Sequence, residues 1–319
     1  MRVLIHPGYP KTASTFLKDN LFSNHTEINF MTKSKIISDK LNLIKFLDKN
    51  EFNSEKRNIS NFFKNNLSNN RLNILSDEMF LIPLGYKLYD NLEAIRRLHS
   101  IFTDIEEIEQ INYLIMLRKP QDLILSYYTD EYHRLVSYDK KLDKFQNFLK
   151  QIELSENIYT NKILQIFDYY KIIKHINSLK LENPKSEIGI FLLENLKNDN
   201  NNFSKKLSSF LGISYEETYQ LLKNASPSNT TSKSEKFYFR KYDWNIFFSK
   251  FSFFYKILPN KIIRILKSSK FFNIIWFFKK SIIVKYEGED LFIVNKLYSE
   301  KLQNLEQSYN LELKKNKYY

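Results

Sequence analysis

The sequence predicts an α/β chain of three layers, with a central parallel sheet, helices over both faces and a helical C-terminal part. Three observations carry this. Short apolar and β-branched runs recur at wide intervals, amphipathic stretches separate them, and the first run feeds directly into a Gly/Pro loop and a helix. Parallel strands need long crossovers and are covered on both faces, so their runs read as continuously apolar rather than alternating.

In chain order, residues 2–6 (RVLIH) form the first strand, bounded by Pro7 and Gly8. Thr15 to Phe22 reads as a helix, with Phe16, Leu17 and Leu21 apolar and Ser14 or Thr15 capping its first turn. Further buried strands are expected at 71–76 (RLNILS), 111–117 (INYLIML) and 187–193 (EIGIFLL). Helices are expected over 36–48, 55–67, 90–102, 121–135, 142–152, 157–178 and 203–211. In the fifth of these, Leu142, Phe145, Phe148, Leu149 and Ile152 keep the three-to-four spacing of a buried helical stripe. Residues 224–235 (NASPSNTTSKSE) read as a polar loop, 236–283 as aromatic and basic helices broken near Pro259, and 289–309 as a last helix. One domain over 1–319 is expected, with 236–285 as a basic aromatic insertion or an acceptor- or membrane-facing subregion.

Composition narrows the function classes. With 43% hydrophobic and 27% charged residues the chain is globular rather than disordered. The absence of cysteine excludes a disulfide framework and thiolate metal sites, and five scattered histidines leave little for zinc. No metal site is expected. The apolar stretch 271–284 is interrupted by Asn273, Lys279 and Lys280, and falls short of the ~20 residues a membrane span requires. "MRVLI" runs straight into the loop, leaving no room for a signal peptide's apolar core, so a cytoplasmic protein is expected.

The net charge of +13 is concentrated: from Lys233 to Lys285, thirteen Lys/Arg stand against two acids, Glu235 and Asp243, and the rest is nearly neutral. Sixteen aromatics share that segment, among them Phe247, Phe251 and Phe254. Amphipathic helices are the default reading. A sharper one is a surface that docks peripherally on anionic lipid at the inner face of a membrane, or grips an acidic polymer. No nucleic-acid recognition module matches.

A strand that passes through a Gly loop into a helix N-terminus makes an anion site, because unpaired backbone N–H groups and the positive dipole end point at one place. The ATPase pattern G-x-x-x-x-G-K-[ST], counted from Gly8, would put its second Gly at Ala13 and its lysine at Ser14. The lysine appears instead at Lys11. On the loop crown it would approach the bridging atom of a leaving group rather than terminal phosphates.

The pattern Pro10-Lys11-Thr12-x-x-Thr15-x-Leu17 resembles the 5′-phosphosulfate loop of sulfotransferases that use 3′-phosphoadenosine 5′-phosphosulfate (PAPS). A second stretch, "LIMLRKPQDLILSYYTDEY" (114–132), is similar to the same family: Arg118 ends a strand and Ser126 follows eight residues later. The resemblance implies a P-loop NTPase-like sulfotransferase fold with PAPS as donor and 3′,5′-bisphosphoadenosine as product. It implies that Gly8, Pro10, Lys11, Thr12, Ala13, Ser14, Thr15 and Phe16 hold the 5′ side and that Arg118 and Ser126 bind the 3′-phosphate. Asp122 is expected to cap the second helix or orient Arg118. "FLLENLKNDNNNFSKKLSSFLGI" (191–213) fits the family's late strand and helix, whereas "NASPS" with Lys233 lacks its last nucleotide-binding pattern.

Lys11 is placed to neutralise charge on the leaving oxygen. A hydroxyl acceptor needs a general base, and two candidates stand open: Glu78 in "NILSDEMF", at a strand end, and His99 in "AIRRLHSIF". Glutamate resembles the carbohydrate and tyrosine-protein branches, histidine the small-molecule branch. His99 also lies on the apolar stripe of Leu92, Ile95, Leu98 and Phe102, where a structural histidine is the competing reading. The resemblance therefore implies sulfuryl transfer to a hydroxyl of a carbohydrate or glycolipid. Two alternatives are a P-loop-like kinase, against which the missing lysine speaks, and a non-catalytic membrane- or polyanion-binding protein.

Overall fold

The computed structural model describes residues 1–9, 11–77, 80, 91–154, 168–182, 185–225 and 284–319. Strands β1 (Arg2–His6), β2 (Ile28–Phe30), β3 (Leu72–Ser76), β4 (Gln110–Leu117) and β5 (Ile188–Leu192) pair in parallel, in the order β2-β3-β1-β4-β5. The register sets His6 beside Ser76, Ile5 beside Tyr113 and Leu117 beside Leu192. The connection from β1 runs to β2 and β3 on one side, the next crosses from β3 to β4 on the other, and the crevice outside the strand ends at such a switch is where open α/β sheets bind ligands. Ile111 to Leu117 are all buried, as strands covered on both faces require.

The helices are α1 (Ser14–Leu17), continued by a π-turn at Lys18–Phe22, α2 (Lys35–Phe46), α3 (Lys49–Lys64), α4 (Asn91–Thr103), α5 (Pro120–Tyr138) and α6 (Phe145–Leu154). They are followed by α7 (Tyr169–Glu182), α8 (Leu193–Asn198), α9 (Asn200–Leu211), α10 (Tyr215–Lys223) and α11 (Asp290–Tyr309). The helix expected over 36–48 stops at Phe46 because Asp48 starts α3 with a capping box. Its carboxylate accepts the Asn50 and Glu51 N–H groups at 2.8 Å each, and Glu51 accepts the Asp48 N–H at 2.9 Å. Three elements were not expected: β2, three residues at a sheet edge and too short to leave a pattern; α8, which begins at Leu193 where the strand was expected to end; and α10, capped by Ser214 through the Glu217 N–H at 3.3 Å. The expected helix over 157–178 is described only from Tyr169, and the segment 236–283 and the loop from 226 lie outside the described residues.

Contacts divide the chain into two compact units. The first comprises Met1–Leu123, Ser155–Asn229 and Asn295–Tyr319, and the second Ile124–Leu154 with Thr230–Val294. In the first, Leu17, Leu21, Phe22, Phe203, Leu207 and Leu211 pack on Leu4, Ile74, Leu114 and Met116 of the sheet. Helices α3, α4 and α7 supply the other layer, with Phe63 and Phe102 ring centroids 5.3 Å apart. The "FLGI" stretch ends α9 at Gly212, whose φ of 62° favours glycine, and a Cβ there would collide with the Arg2 guanidinium. That guanidinium donates to the carbonyls of Leu211 (2.9 Å) and Gly212 (3.2 Å). In the second unit Tyr128 packs on Phe145 and Phe148, and its hydroxyl donates to the Leu142 carbonyl at 2.8 Å.

Candidate active site

Residues 7–13 leave the C-terminal end of β1 and turn into α1. Three residues here have positive φ: Gly8 (56°), Lys11 (62°) and Ala13 (67°). For lysine and alanine this conformation costs about 1 kcal/mol each, so the loop stores strain of the kind found where backbone N–H groups must face one side. It is braced from within. Thr12 Oγ1 and Ser14 Oγ both donate to the Tyr9 carbonyl, at 2.8 and 3.3 Å, and both side chains are buried. The first helical bond runs from Leu17 N–H to Ala13 O at 3.0 Å. The N–H groups of Ser14, Thr15 and Phe16 precede it and point out of the helix N-terminus.

Arg118, at the residue after β4, reaches the same loop: Nη1 donates to the Lys11 carbonyl at 3.0 Å. Its Nε is buried with no hydrogen-bond partner among the described residues. A buried guanidinium N–H left unpaired is costly, and an anion lying between loop and arginine would relieve it. Behind it, Tyr169 Oη donates to the Arg118 carbonyl at 3.0 Å, and the Tyr169 ring meets Tyr9 edge-on at 4.7 Å. Asp122 does not orient Arg118: it is exposed in the first turn of α5 and makes no ion pair with it. Ser126 lies on α5 and is half-buried.

Glu78 and Pro10 lie outside the described residues. His99 is fully buried, with Nδ1 2.6 Å from the Tyr113 hydroxyl and Nε2 3.7 Å from Glu182. Glu182 ends α7, which begins beside Tyr9 at Tyr169, and fourteen residues separate those ends by about 20 Å. The imidazole therefore packs between α4, α7 and the inner strand β4, with Nε2 toward the C-terminal end of α7. Burial pushes its pKa down, and Glu182 opposes this weakly. These surroundings are those of a core histidine.

Two groups at the loop's edge carried no sequence signal. His6, the last residue of β1, is fully buried, and its Nδ1 lies 2.7 Å from Ser76 Oγ at the end of β3. Burial, reinforced by Lys18, pushes its pKa down to about 3, so it is neutral. Lys45 on α2 runs under the same edge to Asp77, 2.6 Å away, with its ammonium 4.7 Å from the Phe80 ring centre. Burial lowers its pKa despite the aspartate. Nothing in the helical pattern marks Lys45 as buried; only a neighbouring strand end supplies its partner.

A parallel α/β sheet with a strained loop that runs from its first strand into a helix N-terminus, and an arginine reaching that loop from the fourth, is of the P-loop-like class. The chain belongs to the sulfotransferase family: the model of the sulfotransferase domain matches residues 2–258. Among solved structures it is similar to a sulfotransferase from Alicyclobacillus acidocaldarius, with 15% identity, a TM-score of 0.42, and 73% of this chain and 87% of that one covered. It is also similar to mouse sulfotransferase SULT7A1 complexed with PAP, again at 15% identity and TM-score 0.42, covering 95% of this chain and 84% of that one. No curated protein matches the chain by sequence.

Proposed function

We propose that this sulfotransferase moves a sulfuryl group from PAPS to a hydroxyl of a carbohydrate or glycolipid acceptor and releases 3′,5′-bisphosphoadenosine. The observation that carries the donor is Arg118, tied by Nη1 to the loop's Lys11 carbonyl while its Nε stays buried and unpaired. A nucleotide with phosphates at both ends fits this donor set: one end faces the N–H groups at the start of α1, the other a permanently charged guanidinium. The SULT7A1 structure complexed with PAP supports the same nucleotide class. Ser126 is proposed as a second donor to the 3′-phosphate.

Sulfuryl transfer needs an acceptor oxygen aligned behind sulfur, a proton removed from it, and charge neutralised on the departing phosphate oxygen. The proposal gives the last task to Lys11 on the loop crown and the proton to Glu78, at the strand end beside Asp77. His99, buried against Tyr113, has no part in it. No metal is required, because the sulfuryl group carries less charge than a γ-phosphoryl. Glutamate as base supports a carbohydrate-type acceptor, and a screen of acceptors with labelled PAPS identifies it. The charge between Lys233 and Lys285 supports a cytoplasmic enzyme working peripherally at the inner face of a membrane.

Thermal unfolding with bisphosphoadenosine and EDTA tests the donor. The product raises the melting temperature without metal, and Arg118→Ala removes most of the rise. No shift at millimolar nucleotide sinks the cofactor assignment.

A further inference from the structure

Two hydrogen bonds hold the peptide joining Arg118 to Lys119, and two more extend from the groups on either side of it. Tyr169 Oη donates to the Arg118 carbonyl at 3.0 Å, and the Lys119 N–H donates to Glu194 Oε1 at 3.3 Å. The other carboxylate oxygen, Glu194 Oε2, accepts from the Tyr318 hydroxyl at 2.6 Å, while the arginine side chain donates forward to the loop. Glu194, Tyr169 and Tyr318 are only 8%, 2% and 1% exposed. A carboxylate so deep in the protein is held by its donors rather than by water, and each donor it loses leaves it to move toward another.

Glu194 arrives by sheet register. Leu192 pairs with Leu117, so the second residue beyond β5 stands beside the second beyond β4. Tyr318 arrives by a turn. After α11 the chain reverses through Asn310 (φ 50°) and Lys317 (φ 59°), buries Leu313, and hangs the Lys314 N–H on Glu306 at 2.9 Å. Gln121 Nε2 donates to the Lys317 carbonyl at 3.1 Å, joining this segment to the start of α5.

We propose that Glu194 and Tyr318 are positioning residues for nucleotide binding: together they lock the Arg118–Lys119 peptide so that the guanidinium stands against the loop with its Nε turned to the 3′-phosphate. The inference rests on the reading of Arg118 as the phosphate-binding arginine. It makes residues 310–319, distant in sequence from both nucleotide motifs, the back wall of the donor site. The effect belongs to ground-state binding, since the phosphate held is not the one that reacts.

Calorimetric titration of the full chain with bisphosphoadenosine tests this, alongside melting temperatures. Tyr318→Phe deletes one oxygen and weakens binding about tenfold to hundredfold, the scale of one buried hydrogen bond to a charged group. Glu194→Gln keeps a carbonyl for the Lys119 N–H and binds better than Glu194→Ala. Tyr128→Phe removes a buried tyrosine hydrogen bond in the second unit; it lowers the melting temperature and leaves the dissociation constant unchanged. If Tyr318→Phe melts earlier yet binds like wild type, the pair is structural and the proposal falls, with the donor assignment intact. If wild type itself shows no binding, the donor assignment fails first. Should Glu194→Ala not fold, Tyr318→Phe carries the test.

Discussion

Lys11 stands on a backbone with φ 62°, where a lysine pays for its position in strain. Alanine at that position bears the same strain, so Lys11→Ala separates side-chain chemistry from loop geometry. With an acceptor in hand, Lys11→Ala lowers kcat by about 10²–10³-fold, the usual loss of one electrostatic group aimed at developing charge. Its affinity for bisphosphoadenosine falls as well, because the departing oxygen carries its full charge in that product. A change in affinity with kcat intact would instead make Lys11 a binding residue. At this scale the chain positions of loop and arginine were readable, because anion chemistry restricts residue types. The inward turn of the Thr12 and Ser14 hydroxyls onto the Tyr9 carbonyl was not, since it follows from the loop's strained backbone rather than from residue type. The apolar stripe did offer His99 as a structural histidine, but its partners Tyr113 and Glu182 are distant in sequence and left no local sign.

Among the elements, β1 and β3 end in a side-chain clasp, His6 to Ser76, directly beneath the loop. In the unfolded chain His6 titrates near ~6.5, whereas burial holds the folded group down to about 3. Between those values the unfolded state binds a proton that the folded state refuses, so stability falls as pH drops below about 6.5, by at most ~1.4 kcal/mol per pH unit. Urea unfolding from pH 6.5 to about 5, above most carboxylates, shows this slope. His6→Asn keeps a nitrogen within reach of Ser76 and makes the slope shallower. His99, lowered by the same cause, retains the remainder. An unchanged slope in His6→Asn refutes the assignment. The strands themselves were legible from their apolar runs, apart from β2, where three residues at an edge carry no periodicity. The break between α2 and α3 was expected but placed too late, between 48 and 55, because Asp48 was read as the end of the first helix rather than as the N-cap of the second, with Glu51 closing its capping box.

For the molecule as a whole, the division into two units sets a test of cooperativity. The whole sheet belongs to the first unit and Phe148 and Leu149 of α6 to the second. Hydrogen exchange read at β1–β5 and at α6 therefore follows the two units separately, and bisphosphoadenosine slows exchange in the sheet more than in α6. Equal slowing at both would make the chain one cooperative block. The sequence by itself determined the α/β class, the order of strand, loop and helix at the start of the chain, and the residue types at its two motifs. These follow from local periodicity and from the few side chains that bind anions. Only the tertiary structure decided that Arg118 meets the Lys11 carbonyl, that Lys45 lies buried against Asp77, and that Tyr318 stands behind the arginine through Glu194. Parallel pairing and a reversed C-terminal segment bring together residues as much as two hundred positions apart, and no local pattern records such contacts.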